Sequence, residues 1–174
     1  MAPSPVRVLV VCTGNICRSP MGHSLLLEEL GSDARFEVDS AGVSAEERGN
    51  PVDSRANAAL RRGGRRTMRH IARPVRPEDL ANSDLILGMT SRHVRTLRRW
   101  AEQYGTDPSR IRMWREFDPA MPLLSEGAHE YELDVDDPWY GGAADFDRTL
   151  EELEAGLPQI VEHLGELASA REDS

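Results

Sequence analysis

Residues 6–20 read VRVLVVCTGNICRSP, and this stretch decides the fold. From Val6 to Val11 every position except Arg7 is apolar, the pattern of a strand buried on both faces. Ser19-Pro20 marks a helix start, with proline in the first turn, where its missing N–H is not needed. Strand, short loop and helix together place Cys12-Thr13-Gly14-Asn15-Ile16-Cys17-Arg18 at a helix N-terminus. Backbone N–H groups converging in such a loop, aided by the helix dipole, form a site for an anion.

Each residue type in the loop suits chemistry on a bound phosphoryl group. Cys12 ends the strand facing those N–H groups, which favour its thiolate and hence a nucleophile. Arg18 supplies a planar, permanently charged fork that can hold two phosphoryl oxygens. Gly14 and Asn15 are residue types that tolerate positive φ, which a loop needs to turn its amides inward. Ser19 can donate its hydroxyl to the thiolate. A cysteine–arginine pair with five residues between them fits a small buried hydrophobe, a disulfide partner or a metal half-site about as well. The full string Cys-Thr-Gly-Asn-Ile-Cys-Arg-Ser-Pro, between a strand and a helix, is far more specific.

That string closely resembles the phosphate loop of the low-molecular-weight protein tyrosine phosphatases, and its place near the N-terminus fits them; larger phosphatase classes carry Cys-x5-Arg late in the chain. The resemblance implies an α/β fold in three layers, with a four-stranded parallel sheet in the order 2-1-3-4 and helices on both faces. It implies phosphate binding by Thr13, Gly14, Asn15, Ile16, Cys17, Arg18 and Ser19, and catalysis by Cys12, Arg18 and an aspartate, without cofactor or metal. Relatives that share the second cysteine suggest Cys17 as a thiol able to trap an oxidised Cys12; a small buried residue at the helix start is an equal reading.

Length and composition agree. A chain of 174 residues suits one domain with a substantial core, residues 1–5 and about 169–174 being expected as flexible tails. A net charge of −9 argues against nucleic acid as partner, and all 21 basic residues are arginine. No apolar run approaches transmembrane length, and the first residues lack the pattern of a signal peptide. Cytoplasmic location follows as an expectation, since a reducing compartment keeps Cys12 available. Oligomeric state is not legible.

Further along, Pro20–Leu30 reads as a helix and Phe36–Gly42 as the second strand, ending in Asp-Ser-Ala-Gly. By the resemblance, Ser40 braces the phosphate loop; a strand-end serine satisfying local backbone is the alternative. Val43–Asp53 is a loop, where many relatives carry an aromatic wall of the substrate pocket and this chain has Glu46. A helix follows over Ser54–Arg62, then an arginine-rich run to Arg69 that reads as a solvated charged surface. His70-Ile71-Ala72-Arg73 resembles a family segment in which His70 would brace Asn15. Asp84–Met89 and Ile111–Trp114 read as strands, with a helix over about Arg92–Tyr104 capped by Thr90 or Ser91; relatives commonly have aspartate at position 90. From Phe146 to Leu167 the leucines recur at helical spacing across Pro158, which predicts one long, kinked helix.

Asp137-Pro138-Trp139-Tyr140-Gly141 completes the chemistry, because a leaving phenolate needs a proton from the side opposite Cys12. Asp107 and Asp118 also precede proline and Asp136 is adjacent, but only Asp137 heads a segment resembling the family's acid loop. Trp139 and Tyr140 then line the pocket with Ile16, although one of them could instead pin the loop to the core. The implied reaction is hydrolysis of phosphotyrosine in a protein substrate through a phosphocysteine, releasing inorganic phosphate. Arsenate reductases of this fold need further cysteines that this chain lacks. Protein arginine phosphatases carry threonine at the position of Ile16, whose apolar side chain favours a flat ring. A non-catalytic phosphotyrosine binder or a thiol redox sensor is the alternative outside enzymes.

Overall fold

The computed structural model describes residues 2–174. Four parallel strands, β1 (Val6–Cys12), β2 (Phe36–Gly42), β3 (Leu85–Gly88) and β4 (Ile111–Met113), form one sheet in the order β2-β1-β3-β4. β1 sits inside it, pairing Val10 with Ser40 and Leu87, and Cys12 with Gly42. Its alternate residues enter two cores, as the nearly unbroken apolar run predicts. Val6, Val8, Val10 and Cys12 face one side with Met21, Leu25, Leu60, Phe146 and Leu157. Leu9 and Val11 face the other with Leu80, Val94, Leu97 and Ile111.

The first face is covered by α1 (Arg18–Leu30), α2 (Ser54–Arg62) and α5 (Ala143–Glu172), the second by α3 (Pro77–Asn82) and α4 (Ser91–Tyr104). This is the expected three-layer α/β arrangement. α1 begins at Arg18 rather than Pro20, so the arginine belongs to the first helical turn. α4 is capped by Thr90, whose Oγ1 accepts from the His93 N–H. The acid that relatives have at position 90 is not needed for the cap.

Two points differ from the sequence expectations. α3 escaped notice because six residues are too few for a helical period, although Pro77 at its start and Asp79 bonding back to Arg76 N–H mark an N-terminus. α5 runs unbroken through Pro158 and on to Glu172, so residues expected in a C-terminal tail are helical. Arg171 ties that end back, donating to the Ser4 carbonyl at 3.0 Å and also to the Pro5 carbonyl and Asp84. The arginine-rich run is the exposed charged surface expected, except that two of its five arginines also pair with α5, Arg62 with Asp147 at 2.6 Å and Arg65 with Glu154 at 2.8 Å.

Candidate active site

The loop between β1 and α1 turns its carbonyls outward. Those of Cys12, Thr13 and Ile16 accept from the N–H groups of Val43, Ser44 and Asp53, whereas the N–H groups of residues 13–17 take no acceptor among the described residues. One residue makes the turn possible: Asn15, at φ 60°, is the one non-glycine residue with positive φ among those described. Gly14 does not have positive φ, contrary to expectation. Its value is space, since a Cβ there would lie 3.0 Å from Glu47 Cγ. Gly42 likewise lets the second strand approach, because a Cβ on it would lie 2.5 Å from the Thr13 carbonyl oxygen.

The strained turn is held by a saturated side-chain network. Asn15 Oδ1 accepts from His70 Nε2 at 2.7 Å and from Arg73 N–H at 3.2 Å, and Nδ2 donates to Ser19 Oγ at 2.8 Å and Ser40 Oγ at 3.1 Å. Because a backbone N–H can only donate, the orientation of the amide follows. His70 carries its hydrogen on Nε2. Ser40 Oγ, which accepts from Asn15, also lies 2.9 Å from His23 Nδ1 and 3.3 Å from His70 Nε2. Ser19, likewise already accepting, has its proton free for Cys12 Sγ at 3.0 Å. Ser40 and His70 thus stand where the resemblance puts them. His23, which the sequence reading missed, completes the network one helical turn beyond Ser19. Burial holds the His23 imidazole down to about 4 and pulls His70 below the ordinary histidine range, so both are neutral at pH 7. His23, Asp39 and His70 each offer a ligating atom within 4.8 Å of one another, while His23 Nδ1 lies against Ser40 and His70 Nε2 against Asn15.

Arg18 is buried, with 4 % of its surface exposed. Nη1 donates to the Val135 carbonyl at 2.9 Å and Nη2 reaches Thr13 Oγ1 at 3.4 Å and Asp137 Oδ2 at 3.5 Å, while Nε is buried without a protein partner. A second unforeseen histidine supports it. His93 Nδ1 accepts from Thr90 N–H at 3.2 Å, which leaves the hydrogen on Nε2 to donate to Thr13 Oγ1 at 2.8 Å. Burial, with Arg18 nearby, holds His93 down to about 3, so it remains neutral beside the guanidinium.

Asp137 stands across the pocket from the loop, heading the single 3₁₀ turn Pro138–Tyr140, with Oδ1 accepting from Trp139 N–H at 3.1 Å. Trp139 and Tyr140 meet edge to face at 4.9 Å and both line the pocket; Tyr140 is 86 % exposed, so neither pins the loop to the core. That task falls to Arg55, a third residue unforeseen in the sequence. Asp53 grips its guanidinium through both oxygens, and Nη1 then donates to the carbonyls of Trp139 at 3.0 Å and Gly141 at 3.4 Å. The guanidinium lies 4.7 Å from the Phe146 ring centroid. Arg55 holds the Asp53 carboxyl below the usual carboxylate range. The Cys17 thiol points to Asp53 at 3.8 Å, and burial, then Asp53 and Cys12, push it well above the ordinary thiol range. The pocket therefore gathers Cys12, Thr13, Gly14, Ile16, Cys17, Arg18, Asp137, Trp139 and Tyr140, and its outer wall is Ser44, Glu46 and Glu47.

A buried cysteine and arginine flanking free backbone amides, faced by a carboxylate, define a phosphate-loop site. The family model "Low molecular weight phosphotyrosine protein phosphatase" matches residues 7–170. The low molecular weight protein-tyrosine phosphatase A of Mycobacterium tuberculosis is 38 % identical over 165 residues, 93 % of each chain. Among solved structures, a protein tyrosine phosphatase from Entamoeba histolytica superposes with TM-score 0.79 at 28 % identity, covering 92 % of this chain and 97 % of that one. YwlE from Bacillus subtilis superposes with TM-score 0.73 at 29 % identity, covering 92 % and 99 %; a further structure describes YwlE as an arginine phosphatase. The chain belongs to the low-molecular-weight phosphotyrosine protein phosphatase family.

Proposed function

We propose that this chain hydrolyses phosphotyrosine in protein substrates, with Cys12 as nucleophile, Arg18 as phosphoryl clamp and Asp137 as general acid and base. The observation that carries the reading is Arg18 Nε, a buried donor without a protein partner in the same pocket as the free loop amides and Cys12. Leaving such a donor unsatisfied costs about 1–3 kcal/mol, which a phosphoryl oxygen offsets.

In the first step a Cys12 Sγ lone pair forms the S–P bond as the P–O bond to the phenol breaks, and Asp137 protonates the departing oxygen. Loop amides and Arg18 bear the charge on the equatorial oxygens. In the second step Asp137, now ionised, takes a proton from water as its oxygen attacks phosphorus. The S–P bond breaks, inorganic phosphate leaves, and the Ser19 hydroxyl stabilises the thiolate. Ile16 on the pocket wall supports a flat aromatic substrate over phosphoarginine. The reaction needs neither metal nor cofactor. A net charge of −9 and a nucleophile that must stay reduced fit a cytoplasmic enzyme without nucleic acid as partner.

The test is turnover of an aryl phosphate by wild type and by Cys12→Ser. Serine's hydroxyl is hardly ionised near neutral pH, so the variant should retain its fold and lose turnover. Full activity in Cys12→Ser would refute the mechanism.

A further inference from the structure

The pocket carries one cation, Arg18, but its lining holds three carboxylates, Asp137, Glu46 and Glu47. Glu47 is fixed in place. Its stem packs near Gly14, and its carboxylate accepts from Asn50 Nδ2 at 2.7 Å. Glu46 is solvent-exposed, and no arginine or histidine lies within ion-pair distance of either carboxylate among the described residues. The exposed rings of Trp139 and Tyr140 line the same pocket.

A dianionic phosphoryl group entering here meets attraction at the floor and repulsion at the rim, in a chain whose net charge is already −9. All these charges lie within one pocket, where the screening length of about 8 Å at physiological salt does not cancel them. A substrate offsets that repulsion by bringing its own cation to the rim. Arginine or lysine next to the phosphotyrosine would find both carboxylates and aromatic faces in the pocket lining, two kinds of surface that bind such side chains.

We propose that Glu46 and Glu47 make this enzyme selective for phosphotyrosine flanked by arginine or lysine. The inference rests on the phosphotyrosine reading above and concerns which peptides are taken. Each rim pair is solvent-accessible, so its contribution is that of an exposed ion pair, a few-fold in binding per charge. The wall touches the flanking residue rather than the reacting atoms, so the preference appears in KM more than in kcat.

The experiment compares two phosphotyrosine peptides of identical length, one with arginines and one with glutamates beside the phosphotyrosine. Wild type, Glu46→Gln, Glu47→Gln and Glu46→Arg are assayed at low salt and at 0.5 M NaCl. The expected wild-type ratio of kcat/KM, basic over acidic, is roughly tenfold, shrinking at high salt. Each glutamine variant should lower it a few-fold, and Glu46→Arg should bring it to unity or invert it. Because the readout is a ratio within one variant, a uniform change in activity cancels. A wild-type ratio of one, or a ratio unmoved by all three substitutions, overturns the proposal while turnover of both peptides leaves the phosphotyrosine reading standing. Absence of turnover on either peptide and on a simple aryl phosphate overturns the reading itself.

Discussion

Replacing Asp137 by asparagine separates proton donation from everything else the acid loop does. Asparagine keeps the shape and can still accept from Trp139 N–H, now made to Asp137 Oδ1 at 3.1 Å. What it cannot do is deliver a proton to the phenol or, in the second step, take one from water. The contact of Asp137 with Arg18 is long, 3.5 Å, and the carboxylate side chain is 42 % exposed, so its loss should change stability by less than about 1 kcal/mol. The damage falls on the chemical step. General acid catalysis typically supplies 10²–10⁴ in rate, or about 3–5 kcal/mol at 1.36 kcal/mol per tenfold. Phosphotyrosine, whose phenol has a pKa of about 10, needs all of it; an aryl phosphate with a strongly acidic phenol needs almost none. Steady-state kcat/KM, which covers only the steps up to release of the phenol, should therefore fall at least a hundredfold for the first and within about tenfold for the second, whereas kcat on both also carries the loss of the base in the second step. Equal losses would make Asp137 a positioning group. A selective loss in Asp136→Asn or Asp118→Asn would move the acid elsewhere, against the buried placement of Asp118 with Ala120 N–H on its carboxylate.

Arg55→Ala should produce a milder copy of the same selectivity, roughly tenfold on phosphotyrosine and little on the acidic phenol, because it frees the carbonyls that hold the Asp137 turn. Uniform loss on both substrates would count against a positioning role. Acid sensitivity provides a further check through His23, which titrates near 6.5 unfolded and about 4 folded. Between those values the unfolded chain binds the extra proton, so stability falls as pH drops through that window, by about 3 kcal/mol once below pH 4. Urea midpoints measured from pH 7 to 4 should decline less steeply in His23→Gln than in wild type, and parallel curves would contradict the buried neutral imidazole.

The parts of the molecule legible in the sequence are those with a period or an unusual string. β1 declares itself through an apolar run, α4 and α5 through three-and-four spacing, and the phosphate loop through residue types that make sense only together. Asp137 needed the resemblance, since two other aspartates also precede proline. His93 and Arg55 were missed because each acts across a large sequence distance, reaching Thr13 and Trp139. A signal existed for His23 alone: it sits four residues after Ser19 on the same helix, hence on the same face, and a histidine facing a buried serine invites a hydrogen bond. The expected positive φ at Gly14 failed for a different reason. Glycine serves conformation or space, and only the packing of Glu47 against it says which.

The direction of the protons ties the fold to the chemistry. Asn15 has four polar valences, and all four are used, two accepting from His70 and Arg73 and two donating to Ser19 and Ser40. With its valences full, the residue can hold a left-handed backbone that costs an ordinary side chain about 1–2 kcal/mol, and the loop keeps its amides turned inward before any anion arrives. The Asn15 amide can only donate to Ser19, which leaves the Ser19 hydroxyl proton available to Cys12 Sγ at 3.0 Å. A neutral His70 is required for this order only in that it must keep its hydrogen on Nε2, and burial, by holding its imidazole below the ordinary range, leaves Asn15 and Ser40 to decide the tautomer. The contact at the Cys12 sulfur is thus a consequence of β2, α1 and the segment before α3 meeting behind the loop, each contributing one member of the hydrogen-bond network around Asn15.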